Sequence, residues 1–306
     1  MEAIKFQLGI AVFLVGLLLA AVLVWGRAQR SQRRASLLAI GLSLVFAPFA
    51  SHLLYSLIRF GYAFYDKGLS YALLPFQGGF TVYGALLGIV LAIGLSAKLC
   101  HTGAMPLMDL FAPALLLLLA FSRFAEGLWF MGFGRFVEME EHMFFPLSIF
   151  DASYESWLYA VFMAEAAYAL LCGILLLAFG KRQQMFSALI LYSAVQMIFE
   201  SMRQDEILRW GFVLCNQVFS LLILLGILLY YLLCRKASIG QWLLSLTIFL
   251  LCIGVIVVME FALEGRVPII EHFTHTDCYT ADLLAMLLLM ALLFFQKSIY
   301  LKKQAA

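Results

Sequence analysis

Arg123 and Glu126, then Glu200 and Arg203, are charged residues where charge is scarce, each pair near one end of a long apolar run. Within each pair the spacing is i, i+3, which places both side chains on one helix face. A charge at membrane depth costs roughly 2.5–3.5 kcal/mol on insertion scales, so such a group marks a functional site by default. Two Arg–Glu pairs at a common depth can meet as one cluster. Guanidinium groups suit bidentate contacts to phosphate, and carboxylates suit proton transfer. The same four groups can instead neutralise one another and lock two helices together, and spacing does not choose between these roles. Arg59, Asp109 and Glu165 lie at similar depth, with Arg135 just beyond. Asp109 reads as the anchor of one end of its span. Glu165 reads as paired with a polar partner that the sequence does not identify.

The elements that position these residues follow from composition. Hydrophobic residues make up 65% of the 306 and charged residues 12%, against about 25% charged in an ordinary soluble chain. So little charge cannot cover a soluble surface, and the chain reads as an all-α, polytopic transmembrane helical bundle. A barrel is excluded because the apolar runs are continuous instead of alternating. The net charge of +2, without basic runs interleaved with aromatics, gives no nucleic-acid partner. Nine spans are predicted, at about 8–25, 36–58, 79–97, 107–125, 157–179, 185–201, 212–234, 239–259 and 280–296. The first lacks the basic start and small-residue exit of a cleaved signal peptide.

Basic residues set the orientation. Arg27, Arg30, Arg33, Arg34, Lys98, Lys181, Arg182, Arg235, Lys236, Lys297, Lys302 and Lys303 all fall on one side, with no acid among them. The acids, including Asp66, Glu138, Glu140, Glu141, Asp205, Glu206, Glu264 and Glu271, gather on the other. The positive-inside rule then predicts the N-terminus outside and the C-terminus inside. Trp25 and the Tyr230–Tyr231 pair read as interfacial anchors at the inner surface.

Three further stretches carry signals. Four glycines between Gly78 and Gly88 permit close helix approach or irregular backbone beside a cavity. The segment from Gly127 to Ser156, with its aromatic residues and acidic cluster, reads as a structured outer cap. Glu271, His272, His275, Asp277 and Cys278 read as a solvated polar loop, and no metal site is expected. The six cysteines form no CxxC pair, so neither a disulfide framework nor zinc is indicated.

Several motifs, in one order along residues 76–222, resemble those of the prolipoprotein diacylglyceryl transferase family. Asp109-Leu110-Phe111-Ala112-Pro113-Ala114 matches its D-x-x-A-P-x. Ser122-Arg123 through Gly134-Arg135 lies in register with its G-R-x-G-N-F-x-N-G-E-x-x-G-R. Gly78 to Gly88 is similar to G-G-x-x-x-H-G-x-x-x-G, Ser156-Trp157-Leu158-Tyr159 to P-S-Q-L-Y-E, Phe199-Glu200-Ser201-Met202-Arg203 to V-E-F-F-R, and Asn216-Gln217-Val218-Phe219-Ser220 to G-Q-x-x-S. The family's histidine is Tyr83 here, its first signature asparagine Glu126, its signature glutamate Met131, and an arginine four residues before Glu200 is Gln196.

The resemblance implies seven family-like spans in residues 1–236 and a two-span extension in 237–306. It implies transfer of a diacylglyceryl group from phosphatidylglycerol to the lipobox cysteine of preprolipoprotein signal peptides, in a bacterial inner (plasma) membrane and without a cofactor. Arg123 and Arg203 would clamp the phosphate, and Arg135, Gly84 and Gly134 would bind or gate the head group. Glu200, Glu126 and Tyr83 would serve the acid–base chemistry, although a tyrosine of ordinary pKa near 10 is a poor base at neutral pH. The four substitutions also fit a non-catalytic relative that binds lipid or signal peptide. A transporter would call for broken helices and inverted repeats, and no internal repeat is evident.

Overall fold

The computed structural model describes residues 2–74, 78–151, 155–180, 182–204, 208–210, 213–263, 265 and 273–305. Lys181, Asp205, Glu206, Glu264, Glu271 and His272 lie outside them. Among the described residues, nine helices are long and apolar enough to cross a membrane. The expected all-helical polytopic architecture is therefore present.

The chain divides into two compact units, Met1–Ala188 with Arg203–Asn216, and Leu189–Met202 with Gln217–Ala306. In the first unit, α1 (Glu2–Arg27) packs along α5 (Ala104–Leu128), α2 (Arg33–Ile58) along α4 (Val82–Leu99), and α5 along α6 (Val161–Phe179). A short helix, α3 (Leu69–Leu73), lies between α2 and α4 in sequence. The helix α7 (Gln184–Met202) begins in this unit and gives its remaining length to the second, with α8 (Cys215–Cys234), α9 (Ile239–Leu263) and α10 (His275–Ala305).

Small residues account for the α2–α4 contact. A Cβ on Gly84 would lie 2.6 Å from the Cα of Ser51, and one on Gly88 2.3 Å from the carbonyl oxygen of Phe46. With little hydrophobic drive between helices in lipid, such backbone approach supplies the packing. Helix α4 starts at Val82, later than hydropathy predicts, because Thr81 is extended and its Oγ1 accepts the amide of Gly84 at 2.9 Å. That is an N-cap. Ser51 of α2 clasps the same residue, donating from Oγ to the Thr81 carbonyl and accepting its amide, each at 2.7 Å.

The start of α6 is also later than its apolar run, since Ser156–Tyr159 form a strand. This strand, β2, pairs antiparallel with β1 (Ser148–Asp151). Its other edge takes the backbone of Gly134 and Val137, whose amides donate to Tyr159 and Trp157 carbonyls at 2.8 Å each. The segment expected to be a structured cap is one. It carries exposed rings at Phe136, Phe144, Phe145 and Phe150. A second ribbon, β3 (Arg209–Trp210) with β4 (Val213–Leu214), precedes α8.

Two expectations need correction. Tyr231 is no interfacial anchor: it is fully buried, its ring 5.5 Å from those of Tyr230 and Tyr300. His275, Asp277 and Cys278 belong to α10 and not to a loop. Thr274 caps that helix by exchanging bonds with Asp277, and Cys278 is buried.

Candidate functional site

The end of α5 places the first two charged groups. Arg123 and Glu126 occupy its last turns, and Arg123 Nη1 donates to both carboxylate oxygens of Glu126 at 2.8 Å. The helix then closes as a left-handed cap. Phe130 has φ 60°, the Met131 amide bonds the Glu126 carbonyl at 2.9 Å, and the Phe130 amide bonds Gly127 at 3.3 Å. This 6→1 and 5→2 pattern is the Schellman motif. Gly132, at φ 78°, turns the chain again, and its carbonyl accepts the Phe162 amide at 2.9 Å. Gly127 lets the Phe162 ring lie directly on α5, where a Cβ would meet it at 2.2 Å. These contacts fix which face α6 turns toward Arg123.

Glu165 is on that face. Its Oε2 stands 2.5 Å from Arg123 Nε. Arg203, one residue past the end of α7, brings Nη1 to 3.3 Å from Glu126 Oε2 and 3.6 Å from Glu165 Oε1. The two arginines and two glutamates thus alternate around a ring, each arginine touching both carboxylates. The side chains of Arg123 and Glu165 are 4% and 0% exposed, while Glu126 and Arg203 keep 15% and 10%. The ring has a buried edge and an accessible one. Charges this deep persist only when paired, because desolvation of each costs several kcal/mol.

The other sequence candidates fall as follows. Glu200 is buried in the second unit, where Gln196 Nε2 donates to it at 3.4 Å. Tyr83 is buried directly after the Thr81 cap, and Gly84 forms the close approach to α2. Gly134 and Arg135 lie in the cap segment that runs beside β2, with the Tyr159 amide donating to the Arg135 carbonyl at 3.0 Å. Asp109 does anchor its helix: Oδ1 accepts the Met185 amide at 3.0 Å, holding the start of α7. Beside it, Arg27 donates to the Leu110 carbonyl at 3.1 Å and to Gln184 Oε1 at 2.9 Å.

Glu165 gains its partners here, and His52 is new. This α2 histidine is buried, its Nδ1 2.9 Å from the Gly79 carbonyl and its Nε2 2.6 Å from that of Tyr71. It ties the glycine-rich segment to α2. A histidine within an apolar run was its only signal. Among the described residues no group of three or more metal-ligating side chains occurs.

Phosphatidylglycerol–prolipoprotein diacylglyceryl transferases of Listeria welshimeri and Streptococcus pneumoniae are 28% and 27% identical to this chain over 194 residues each. The matches cover 56% and 60% of this chain, and 66% and 72% of those proteins. The chain thus spans just under two thirds of the Listeria relative's length. The corresponding enzyme name in Pediococcus pentosaceus goes with 23% identity over 240 residues, 74% of this chain and 75% of that one. A profile of the prolipoprotein diacylglyceryl transferase family matches residues 7–258, a stretch that holds every member of the charged ring, and the chain belongs to that family.

Proposed function

We infer that the protein transfers a diacylglyceryl group from a glycerophospholipid, phosphatidylglycerol in the family's naming, to the cysteine thiol of a preprolipoprotein signal peptide. The observation that carries this reading is the Arg123–Glu126–Glu165–Arg203 ring, three of its members on helices long and apolar enough to cross a membrane and all four within the stretch that the family match covers. In the reaction the cysteine sulfur, as thiolate, attacks the terminal glycerol carbon of the lipid. The S–C bond forms, the C–O bond to phosphate breaks, and its electron pair leaves on the phosphate oxygen. Negative charge grows on that oxygen, and the arginines of the ring are positioned to stabilise it. Glu126 and Glu200 are the carboxylates proposed to take the thiol proton. Tyr83 is proposed as a hydrogen-bond donor, with Arg135, Gly84 and Gly134 shaping the head-group approach. The multi-pass protein is proposed to sit in the bacterial plasma membrane, with residues 237–306 as a two-span addition to the transferase core.

The test is direct transfer. Protein purified and reconstituted with phosphatidylglycerol and a lipobox peptide should yield thioether-linked diacylglyceryl peptide. Arg123→Ala should lower the rate by about 100-fold or more, the scale of losing one charge-stabilising group. Peptide and lipid binding without product would leave the non-catalytic reading in its place.

A further inference from the structure

Arg203 stands one residue past the end of α7, and from there its guanidinium reaches both carboxylates of the ring. The chain is fastened on each side of it. After it, the Gln204 amide donates to the Phe133 carbonyl at 2.9 Å. Before it, the last turns of α7 enter a polar cluster of Met197, Ser201, Gln217 and Glu260, all four within the second unit. Gln217, in the first turn of α8, donates from Nε2 to the Met197 carbonyl at 3.0 Å and to Glu260 Oε1 at 2.6 Å. The Ser201 hydroxyl donates to the same carboxylate oxygen and lies 3.0 Å from Gln217 Nε2. One oxygen of Glu260 thus accepts from two helices, and the carboxylate itself comes from the last turn of a third, α9. In lipid, apolar contact gives helices little reason to associate, and such interhelical hydrogen bonds fix one helix end against another. Glu260 lies two residues beyond the stretch that the family profile matches.

We propose that Glu260 is a positioning residue for the transfer reaction: it fastens the end of α7 to α8 and α9 and thereby holds Arg203 in place toward the leaving phosphate. This rests on the reading of Arg203 as a phosphate-binding arm. The part of Glu260 is indirect, exerted through Ser201 two residues before the arginine. The α9 span then has a task in the chemistry, since it delivers the acceptor that joins the α7 and α8 ends. Without that acceptor the end of α7 is free to shift, and a misplacement of about 1 Å in a site group costs on the order of 100-fold in rate.

The experiment is a double-mutant cycle on the full-length protein, reconstituted with phosphatidylglycerol and given the lipobox peptide. Rate is read as thioether product, and lipid retention by native mass spectrometry from nanodiscs. Glu260→Ala should lower kcat by about 10- to 100-fold, with the KM for peptide little changed. In the Arg203→Ala background the same substitution should take nothing further from the residual rate, because the arm it positions is gone. Glu260→Gln keeps an oxygen that accepts from Ser201 and Gln217 and should recover most of the rate. Ser201→Ala removes only one hydroxyl from the cluster; it should lower kcat less and be silent beside Arg203→Ala, and it decides the matter if Glu260→Ala does not fold. Equal fractional losses with and without Arg203 overturn the proposal, since they assign Glu260 to the fold alone. Full activity of Glu260→Ala, or a Glu260→Gln rate no better than that of Glu260→Ala, overturns it too. If the wild type yields no product, the transferase reading falls and the cycle is judged on phosphatidylglycerol retention. Losses of retention that vanish beside Arg203→Ala then keep the positioning role, and additive losses remove it.

Discussion

Glu165 does at residue scale what a counter-ion must do in lipid: it completes the charge balance of two arginines that arrive from different helices. Its removal takes one carboxylate from both guanidiniums. Glu165→Gln should therefore destabilise the protein by about 3–5 kcal/mol, the usual cost of breaking a buried ion pair by deleting one partner. Thermal unfolding in detergent checks this, and Glu165→Asp should recover part of the loss. Arg123→Lys should not rescue the site, because an ammonium cannot span Glu126 and Glu165 as the planar fork does. Part of this was legible in advance. Arg123 and Glu126 share a helix, so their spacing alone puts them together, and the depth of Arg203 suggested that it joins them. The partner of Glu165 was not legible. It depends on how α6 is turned, which Gly127, Gly132 and Phe162 set through non-local contact. The i, i+3 relation of Glu200 and Arg203 also misleads, since α7 ends at Met202 and Arg203 is already outside the helix.

Elements were read well where hydropathy governs them and less well at their ends. The α4 and α6 starts were displaced by a threonine cap and by a strand, both polar backbone events inside apolar sequence. The aromatic cap was recognised by composition, but its strand pairing was not, because four-residue strands leave too short an alternation to detect. The glycine segment was read as either close packing or a cavity wall, and Gly84 and Gly88 take the first role against α2. Gly88→Leu should force α2 and α4 apart. The expected result is a large fall in thermal stability with loss of the Ser51–Thr81 clasp, seen as faster hydrogen exchange at the Thr81 and Gly84 amides. Gly94, in the same helix with open space around its Cβ position, should tolerate Gly94→Ala with little change.

At the scale of the whole molecule, composition alone gave the class, and the nine apolar helices agree with it. The division into two units was not legible, because the boundary falls within α7, where no linker or change of composition marks it. The orientation expected from the positive-inside rule is open to a direct test. A fusion to alkaline phosphatase, active only outside the membrane, should be active after Glu141 and inactive after Arg30. The opposite pattern would invert the topology and move the charged ring to the inner leaflet.

The ring also sets conditions on how the protein is made. Arg123 and Glu126 travel together on α5, so this span reaches the insertion machinery with its charges already joined. Helix α6 follows with Glu165, whose lone entry into lipid costs about 2.5–3.5 kcal/mol. That cost is relieved when the nascent α6 docks on the preceding span and finds Arg123 waiting. Synthesis order and charge order coincide: a self-neutral helix first, an acidic one second, and the cation of Arg203 last to close the circuit.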